Sequence, residues 1–326
     1  MLDLILNPYY LQVASFILIN IILGLSIYVT LASGQLSLGT AGFMAVGAYT
    51  TALLTTNQEM PIIIGILAGA LLAGAIGILI GIAALRLQGV FLAIATLGFG
   101  EIVRVILVNM ESVTNGAIGI SGIPQMGNQM YASLEKWGFS ADLLGLQRNQ
   151  FVFLSIFIVL LLVVIFLIFF FVRQSSSRIG RAFSSIKMDE NAAASMGVNV
   201  TYYKVLSFVQ GAIFAGLAGA LYAHVMSFIS PEDFSYQRAV EILVFTVFGG
   251  SEVVAGAVFG GFFLTLLPEV LRPISEYRYM IYGLLLVALM YFRPQGIIDQ
   301  HMLRGFKARM LARKGRSHGI SSKADQ

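Results

Sequence analysis

The chain has 326 residues, of which 58% are hydrophobic and 11% are charged, and its formal net charge is +4. A soluble domain has roughly a quarter of its residues charged, so a soluble fold of this composition would expose more apolar surface than water tolerates. Composition therefore predicts an integral membrane protein. The absence of cysteine excludes disulfides, iron–sulfur clusters, thiolate metal sites and cysteine nucleophiles.

Nine apolar segments are candidates for membrane-spanning helices, because a hydrocarbon core of ~30 Å takes about 20 residues. They are 10–31, 39–56, 61–84, 89–109, 151–172, 203–229, 239–250, 253–271 and 278–292. The N-terminus lacks the basic region of a secretory signal, so the first segment is expected to remain as a span. The predicted fold is an all-α integral membrane protein, a polytopic bundle of about 8–10 transmembrane helices. The weakest candidates are 39–56, 239–250 and 278–292.

Two stretches place glycines beside polar residues inside apolar runs, at 33–50 and at 248–261. This pattern is typical of glycine-broken helices, whose unwound backbone is tolerated at membrane depth only where protein or a water-filled cavity satisfies it. In the first stretch, Gln35, Ser37 and Gly39 are candidates for a translocation pathway or for a structural role.

Glu101 and Arg104 are the clearest charges inside a predicted span. Their spacing puts them on one helix face, where they can pair. Glu101 lies ~18 Å beyond Gly89 by helix rise, and a charge at that depth implies a partner, a cavity or a function. Two roles stay open: an ion pair that locks helices together, or a direct role in the pathway. Thr96 on the same segment joins this group, and Glu241 has the same two alternatives.

Catalytic chemistry is not predicted for this chain. It has no G-x-x-x-x-G-K-[ST] loop to hold nucleotide phosphates. His224, His301 and His318 are far apart in sequence and are interpreted as packed or solvated side chains, not as metal ligands. No serine or threonine has a histidine and a carboxylate placed for a triad. We therefore expect no catalytic residue, no cofactor and no metal site.

Lysine and arginine concentrate in 173–204 and after residue 292, which the positive-inside rule places in the cytoplasm. With nine spans, both segments and Arg86 fall on one side, and the N-terminus falls outside. The positive charge is thus explained by topology, with anionic lipid as a partner, and not by nucleic-acid binding.

The predicted organisation is a transmembrane domain at 1–300, with a cytoplasmic coupling loop at 173–202 and an extracytoplasmic loop at 110–150, followed by a basic cytoplasmic tail at 301–326.

The charged, alanine-rich segment 178–204 predicts a short helix of about two turns. Asp189 is suited to cap it, Glu190 to complement its dipole and Gly197 to end it in the left-handed conformation. Its expected apolar face consists of Ala192, Ala193 and Met196, and an apolar strip upstream consists of Ile179, Phe183 and Ile186. The helix either docks a soluble partner or lies on the lipid surface.

Several blocks carry a family resemblance. The run Asn191-Ala192-Ala193 followed by Gly197 is similar to the EAA-type cytoplasmic loop of ABC importer permeases, with Asn where that motif has Glu and with Glu190 beside it. Further blocks, in chain order, are SGQLSLGTAGFMAVGAYT, RLQGVFLAIATLGFGEIVR, TNGAIGISGIP, SRIGRAFSSIKMDENAAASMGVN, FAGLAGALYA and YRYMIYGLLLVALMYFRPQGI. From about residue 20 to 298, the chain resembles permease subunits of the branched-chain amino acid ABC transporter family, of the M-type rather than the H-type.

The resemblance implies a type II ABC importer-like permease in the cytoplasmic (inner) membrane. It implies a heterodimer with an H-type permease, two cytoplasmic ATPase subunits that use ATP and Mg, and an extracytoplasmic solute-binding protein that delivers leucine, isoleucine, valine or a relative. The ATPase-coupling loop would comprise Glu190, Asn191, Ala192, Ala193, Met196 and Gly197. The alternatives are an ABC permease for urea, short amides or another small solute, and an ion-coupled secondary transporter, which works without ATPase partners.

Overall fold

The computed structural model describes residues 7–136 and 147–272, together with single positions between 277 and 298. The helices in chain order are α1 (Pro8–Ala32), α2 (Thr40–Asn57), α3 (Ile62–Ala84), α4 (Val90–Asn109), α5 (Glu111–Thr114), α6 (Met126–Lys136), α7 (Arg148–Ser175), α8 (Arg178–Met188), α9 (Glu190–Ser195), α10 (Val200–Met226), α11 (Tyr236–Gly249) and α12 (Val254–Val270). Two short strands, β1 (Ile120–Ser121) and β2 (Phe228–Ile229), form an antiparallel pair. Two 3-10 turns span Gly116–Ile118 and Pro231–Phe234. The tail at 301–326 and most of the predicted span at 278–292 lie outside the described residues.

Five helices are long and apolar enough to cross a membrane: α1, α3, α4, α7 and α10. They coincide with five of the predicted spans. The segments 39–56, 239–250 and 253–271 are also helical, as α2, α11 and α12. The prediction of a polytopic, all-helical membrane protein is therefore confirmed for the part of the chain that the structure describes.

Helix α1 is the centre of the bundle. In its most apolar window 83% of the residues are buried, against 28% in α4. It packs against α10, α12, α7 and α11, and α10 in turn packs against α2 and α3. Since lipid tails are as apolar as leucine, burial of apolar surface drives little association between these helices, and close packing has to supply it.

Glycine makes that close packing possible where α2 crosses α10. A Cβ atom on Gly47 would lie 2.0 Å from the carbonyl oxygen of Gly216, and one on Gly219 would lie 1.9 Å from that of Met44. Real Cβ atoms do not approach backbone so closely, so only glycine fits at either position.

The two glycine-rich stretches contain the connections between successive helices. Residues 33–39 separate α1 from α2, and residues 250–253, with Gly250 at φ +123°, separate α11 from α12. Helices α2 and α12 are themselves unbroken, so the prediction that they are broken by glycine is wrong. Helix α11 has 14 residues, so its length of ~21 Å is less than the ~30 Å hydrocarbon core. The backbone N–H groups of Ile297 and Ile298 donate to the carbonyls of Phe248 and Gly249 at 3.0 Å, which satisfies acceptors at the end of α11.

The connections gather at two opposite ends of the bundle. The basic end contains residues 33–39, the α3–α4 turn, α8 and α9; there Gln88 donates to Glu190 at 3.4 Å. The loop end contains the β1–β2 pair and the described residues between α4 and α7. The nine predicted spans would place successive loops alternately on the two sides of the membrane, and the two ends of the bundle agree with this for the described residues. The division into domains and the cytoplasmic placement of the basic end stay predictions.

Replacing Gly47 with Ala should destabilise the bundle, because the added methyl group meets the carbonyl of Gly216. Overpacking of this kind costs about 1–3 kcal/mol or more. The measurement is the midpoint of thermal unfolding of the purified chain in detergent, followed by size-exclusion chromatography. The matched control is Gly98→Ala on α4, where an added Cβ meets nothing within 4 Å. Equal midpoints for the two variants would contradict this account of the crossing.

Candidate functional site

The segment predicted to couple to a partner forms two short helices, α8 and α9. The Asp189 side chain accepts a hydrogen bond from the backbone N–H of Ala192 at 2.9 Å and so caps α9. Gly197 ends the turn after α9 with φ +83°. The local structure is therefore the one that these two residues predicted.

The faces of α8 and α9 differ from the expectation. Phe183, Ile186 and Ala193 are buried, and the ring of Phe183 lies edge-on to that of Tyr203 at 6.3 Å. The apolar strip therefore packs onto the bundle. Ala193 is only 4% exposed, so its methyl group belongs to this inner contact and not to an outer docking face.

The outward face of this pair of helices carries exposed methionines. Met188 is 86% exposed and Met196 is 85% exposed. Ala192 and Asn191 are exposed between them. A groove of about 830 Å³ runs along α8, α9 and the start of α10, with Arg178 among its lining residues. Exposed, flexible methionine side chains are suited to contact with another protein surface.

Glu190 ties α9 to the bundle. One of its carboxylate oxygens accepts from Lys204 Nζ at 2.5 Å and from Gln88 Nε2 at 3.4 Å. The Lys204 side chain is only 9% exposed, whereas that of Glu190 is 38% exposed, so the pair is shielded from water on the lysine side only. Asn191 is exposed and makes no such contact in the described residues. Of the two candidates for the acidic position, Glu190 is the one that is paired.

The interruption at 33–39 is held by side-chain hydrogen bonds. Gln35 is 3% exposed, and its Oε1 accepts from Ser207 Oγ at 2.9 Å and from Ser33 Oγ at 3.3 Å. The hydroxyl groups of Ser33 and Ser207 are 2.7 Å apart. Ser207 was not among the candidate residues, but it belongs to this cluster. The sequence signal that could have found it is its spacing of three residues from Lys204, which puts both on one face of α10.

The other end of the interruption rests on α4. The backbone N–H of Leu38 donates to Thr96 Oγ1 at 2.9 Å, and the N–H of Gly39 donates to Ser37 Oγ at 3.3 Å. A Cβ atom on Gly39 would lie 3.4 Å from Thr96, so the backbone passes close to α4 here. The structure thus brings Gln35, Ser37, Gly39 and Thr96 into one neighbourhood. The side chains of Thr96 and Ser37 accept from two backbone N–H groups of this stretch that have no helical partner.

A continuous series of contacts links α9 to this cluster. Glu190 pairs with Lys204, and the carbonyl of Lys204 accepts from Ser207 Oγ at 2.9 Å. Ser207 Oγ also lies 2.9 Å from Gln35 Oε1, so its single proton is shared between these two acceptors. Helix α9, the start of α10 and residues 33–39 are therefore connected by side-chain contacts.

Glu101 and Arg104 lie nearer the loop end, apart from this cluster. Arg104 donates to Glu101 at 2.9 Å and to Glu232 at 2.8 Å, and the backbone N–H of Tyr236 donates to Glu101 at 3.0 Å. The network joins α4 to the 3-10 turn Pro231–Phe234 and to the first residue of α11. Glu232 was not predicted, because a pairing across 128 residues leaves no local pattern.

Glu241 has a partner as well. Arg238 donates to Glu241 at 2.6 Å and to the side-chain oxygen of Asn20 at 2.6 Å. Asn20 is 5% exposed and donates to Thr265 at 2.9 Å. This group joins α11 to α1 and α12, and neither Asn20 nor Arg238 was among the candidates.

His224 is a packed histidine, as expected. Its side chain is buried, with Nδ1 2.8 Å from the carbonyl of Pro124 and Nε2 3.1 Å from Thr51 Oγ1. In the described residues no group of His, Asp and Glu could hold a metal ion. His301 and His318 lie outside those residues.

Arg104→Ala should lower stability more than Glu101→Gln. The first change leaves Glu101 and Glu232 unpaired, whereas the second keeps an oxygen that accepts from Tyr236. We expect a loss of about 1 kcal/mol for Arg104→Ala, since the pairs are partly exposed. The measurement is thermal unfolding together with solute uptake and membrane level.

The double variant Glu101→Gln/Arg104→Gln separates the two roles. A structural pair predicts that uptake and stability recover toward wild type. Lost uptake at a normal membrane level would indicate a pathway role instead. Wild-type behaviour of all three variants would contradict both.

Residues 9–290 match the model of a family described as the permease component of branched-chain amino acid transport systems. The high-affinity branched-chain amino acid transport system permease proteins LivM of Salmonella typhimurium and Escherichia coli are each 36% identical to the chain over 296 residues, which is 88% of this chain and 69% of theirs. The corresponding protein LivH of Escherichia coli is 24% identical over 198 residues, 60% of this chain and 61% of its own. No solved structure matches the chain significantly.

These similarities agree with the motifs and with the helical structure. Identity is higher, and covers more of the chain, for LivM than for LivH, as the resemblance to the M-type subunit predicted. Together with five long apolar helices, they identify a multi-pass inner-membrane transport component and not an enzyme. The chain belongs to the family of permease components of branched-chain amino acid transport systems.

Proposed function

We propose that this chain is the M-type permease subunit of an ABC importer that moves branched-chain amino acids across the cytoplasmic membrane. The observation that carries the proposal is 36% identity to LivM across 88% of the chain. The subunit pairs with a related H-type permease and receives its solute from an extracytoplasmic binding protein. Because this chain has no nucleotide-binding loop, ATP and Mg are bound by two cytoplasmic ATPase subunits.

The ATPase subunit docks on the outward face of α8 and α9. This face offers Met188 and Met196, both more than four-fifths exposed, beside a groove of about 830 Å³. Helix α9 is too short to be stable alone, since isolated helices need about 12–15 residues. It is held instead by its cap at Asp189 and by the Glu190–Lys204 pair, and so it moves together with the start of α10.

Movement of α10 reaches the solute path through residues 33–39. The N–H groups at 33–35 close the end of α1, and side-chain bonds from Ser207 to Gln35 and from Leu38 N–H to Thr96 fix the rest of the segment. A small shift of Ser207 therefore breaks or remakes the bonds to Gln35 without unwinding a helix. In this proposal the interrupted segment opens and closes the pathway as the ATPase subunits bind and hydrolyse ATP.

Transport itself is tested by uptake of labelled leucine in a bacterial strain that lacks its own branched-chain amino acid uptake. The strain expresses the neighbouring partner genes with or without this chain. The proposal predicts uptake that requires the chain and that excess isoleucine or valine blocks. Uptake of urea or a short amide, with no uptake of leucine, would favour the alternative solutes.

The orientation of the chain is testable by single cysteines, because the sequence has none. Ser195→Cys lies on α9 at the basic end, and Ser112→Cys lies at the loop end; both positions are exposed. In intact cells freed of the outer membrane, a membrane-impermeant maleimide should label Ser112→Cys only. Labelling of Ser195→Cys under these conditions would reverse the proposed orientation, in which the basic end and the tail at 301–326 are cytoplasmic.

Met188→Asp and Met196→Asp should each weaken retention of the ATPase subunit. The new carboxylate would have to lose water in the contact, and we expect a loss of affinity of at least about tenfold. The chain should still reach the membrane, since both side chains are exposed. The measurements are pull-down of the ATPase in detergent and leucine uptake in cells.

The matched control is Met60→Asp, which introduces the same charge at an exposed methionine in the α2–α3 turn at the loop end. It should leave both measurements near wild type. If all three variants retain the ATPase equally, the face formed by Met188 and Met196 is not the docking surface.

A further inference from the structure

A charged cleft opens at the loop end between α1, α10, α11 and α12. Its volume is about 690 Å³, within the range of about 300–1,000 Å³ that is typical of small-molecule sites. It lies opposite the face proposed for the ATPase. None of the candidate residues taken from the sequence lines it except Glu241.

Arg238 is the only arginine or lysine among the described residues that line the cleft. Its side chain is 19% exposed and is held in place by Glu241 and by the buried Asn20. These contacts use two of the five N–H donors of a guanidinium group. The remaining donors are available to the cleft, and a planar fork of donors fits a carboxylate.

Acidic side chains surround this arginine. The carboxylates that line the cleft are Glu232, Asp233, Glu241 and Glu269. Two arginines outside the lining offset part of this charge, since Arg104 pairs with Glu232 and Arg272 pairs with Glu269. With Arg238 counted against Glu241, Asp233 is left without a cationic partner among the described residues, and its Oδ2 accepts from the backbone N–H and the hydroxyl group of Ser230. The cleft therefore offers a guanidinium group and a local negative excess side by side.

An apolar wall completes the cleft. Val13 and Phe16 on α1, Tyr222 on α10 and Pro268 on α12 line it. The rings of Phe16 and Tyr222 lie 6.2 Å apart at an angle of 52°, so they present one continuous surface. An aliphatic side chain packed there would be removed from water, with a gain of about 25 cal/mol for each Å².

We propose that this cleft binds the transported solute as a zwitterionic α-amino acid with an apolar side chain. Its carboxylate pairs with Arg238, its ammonium group lies against Glu241 and Asp233, and its side chain packs on the wall of Phe16 and Tyr222. The inference rests on the proposed import of branched-chain amino acids and adds a receiving site for the solute released by the binding protein. A neutral solute such as urea would gain little from opposite charges arranged in this way.

The first test is leucine uptake by cells that carry the complete transporter. Arg238→Gln and Glu241→Gln should each lower uptake at least about tenfold at a normal membrane level, because a charged group loses its partner. The matched control is Arg148→Gln, an exposed arginine at the same end that lies over the ring of Tyr131 and outside the cleft. It should transport normally.

Exchange of the pair distinguishes recognition from a structural role. The double variant Arg238→Glu/Glu241→Arg keeps opposite charges three residues apart, so a pair that only stabilises α11 should recover uptake. A pair that orients a zwitterion should not recover it. Full recovery in the double variant would overturn the proposal.

The second test uses a diazirine analogue of leucine on the purified transporter. Light should attach it to peptides that contain Phe16 or Tyr222, and excess leucine should prevent this, whereas urea or 4-methylpentanoate should not. Arg238→Gln should abolish the labelling. Two results would show that the cleft is not the site in a transporter that imports leucine. One is that these peptides are not labelled in the wild type, and the other is that they are still labelled in Arg238→Gln. If the wild type imports no branched-chain amino acid, it is the proposed function that fails.

Discussion

Inside a membrane every backbone N–H and C=O group must find a partner within the protein, and this constraint governs the whole bundle. Long helices such as α1 and α10 satisfy it by themselves. The connection at 33–39, at the basic end, is not helical. Its first N–H groups, at 33–35, donate to carbonyls of the last turn of α1, and the N–H of Leu38 donates to Thr96. Gln35 and Ser207 add a bond between two buried side chains. A stretch that depends on a few side chains for its position is also one that a small movement can rearrange. In the proposed mechanism, this connection is where the transporter switches.

An ion pair joins α9 to the start of α10, next to the contacts that hold residues 33–39. Lys204 is 9% exposed on its side chain and contacts Glu190 at 2.5 Å, one helical turn before Ser207. An ion pair at the surface would contribute little, since solvent screens it. At this position, loss of Glu190 leaves the ammonium group of Lys204 largely buried without its partner. In the proposed mechanism, this pair carries a displacement of α9 to α10.

Local features of the sequence predicted much of this architecture, and long-range ones did not. The cap at Asp189 and the turn at Gly197 were predictable because their hydrogen bonds and dihedral angles depend on residues within one turn. The apolar spans were predictable because length and composition decide them. The inward position of Ala193 was not predictable from the sequence. Neighbouring side chains of a helix point in directions about 100° apart, and in a short helix only packing decides which of them faces the bundle. Asn20 and Arg238 were missed because their contact joins residues 218 positions apart.

The account depends most on the claim that ATPase action reaches the pathway through Glu190, Lys204, Ser207 and Gln35. The direct measurement is leucine uptake and ATP hydrolysis determined together in proteoliposomes that contain the assembled transporter with Glu190→Gln or with Ser207→Ala. The account predicts an uncoupled transporter in both cases: the ATPase subunits stay bound and hydrolyse ATP, while the leucine imported for each ATP falls at least about tenfold. An unchanged ratio of leucine to ATP in both variants would contradict it.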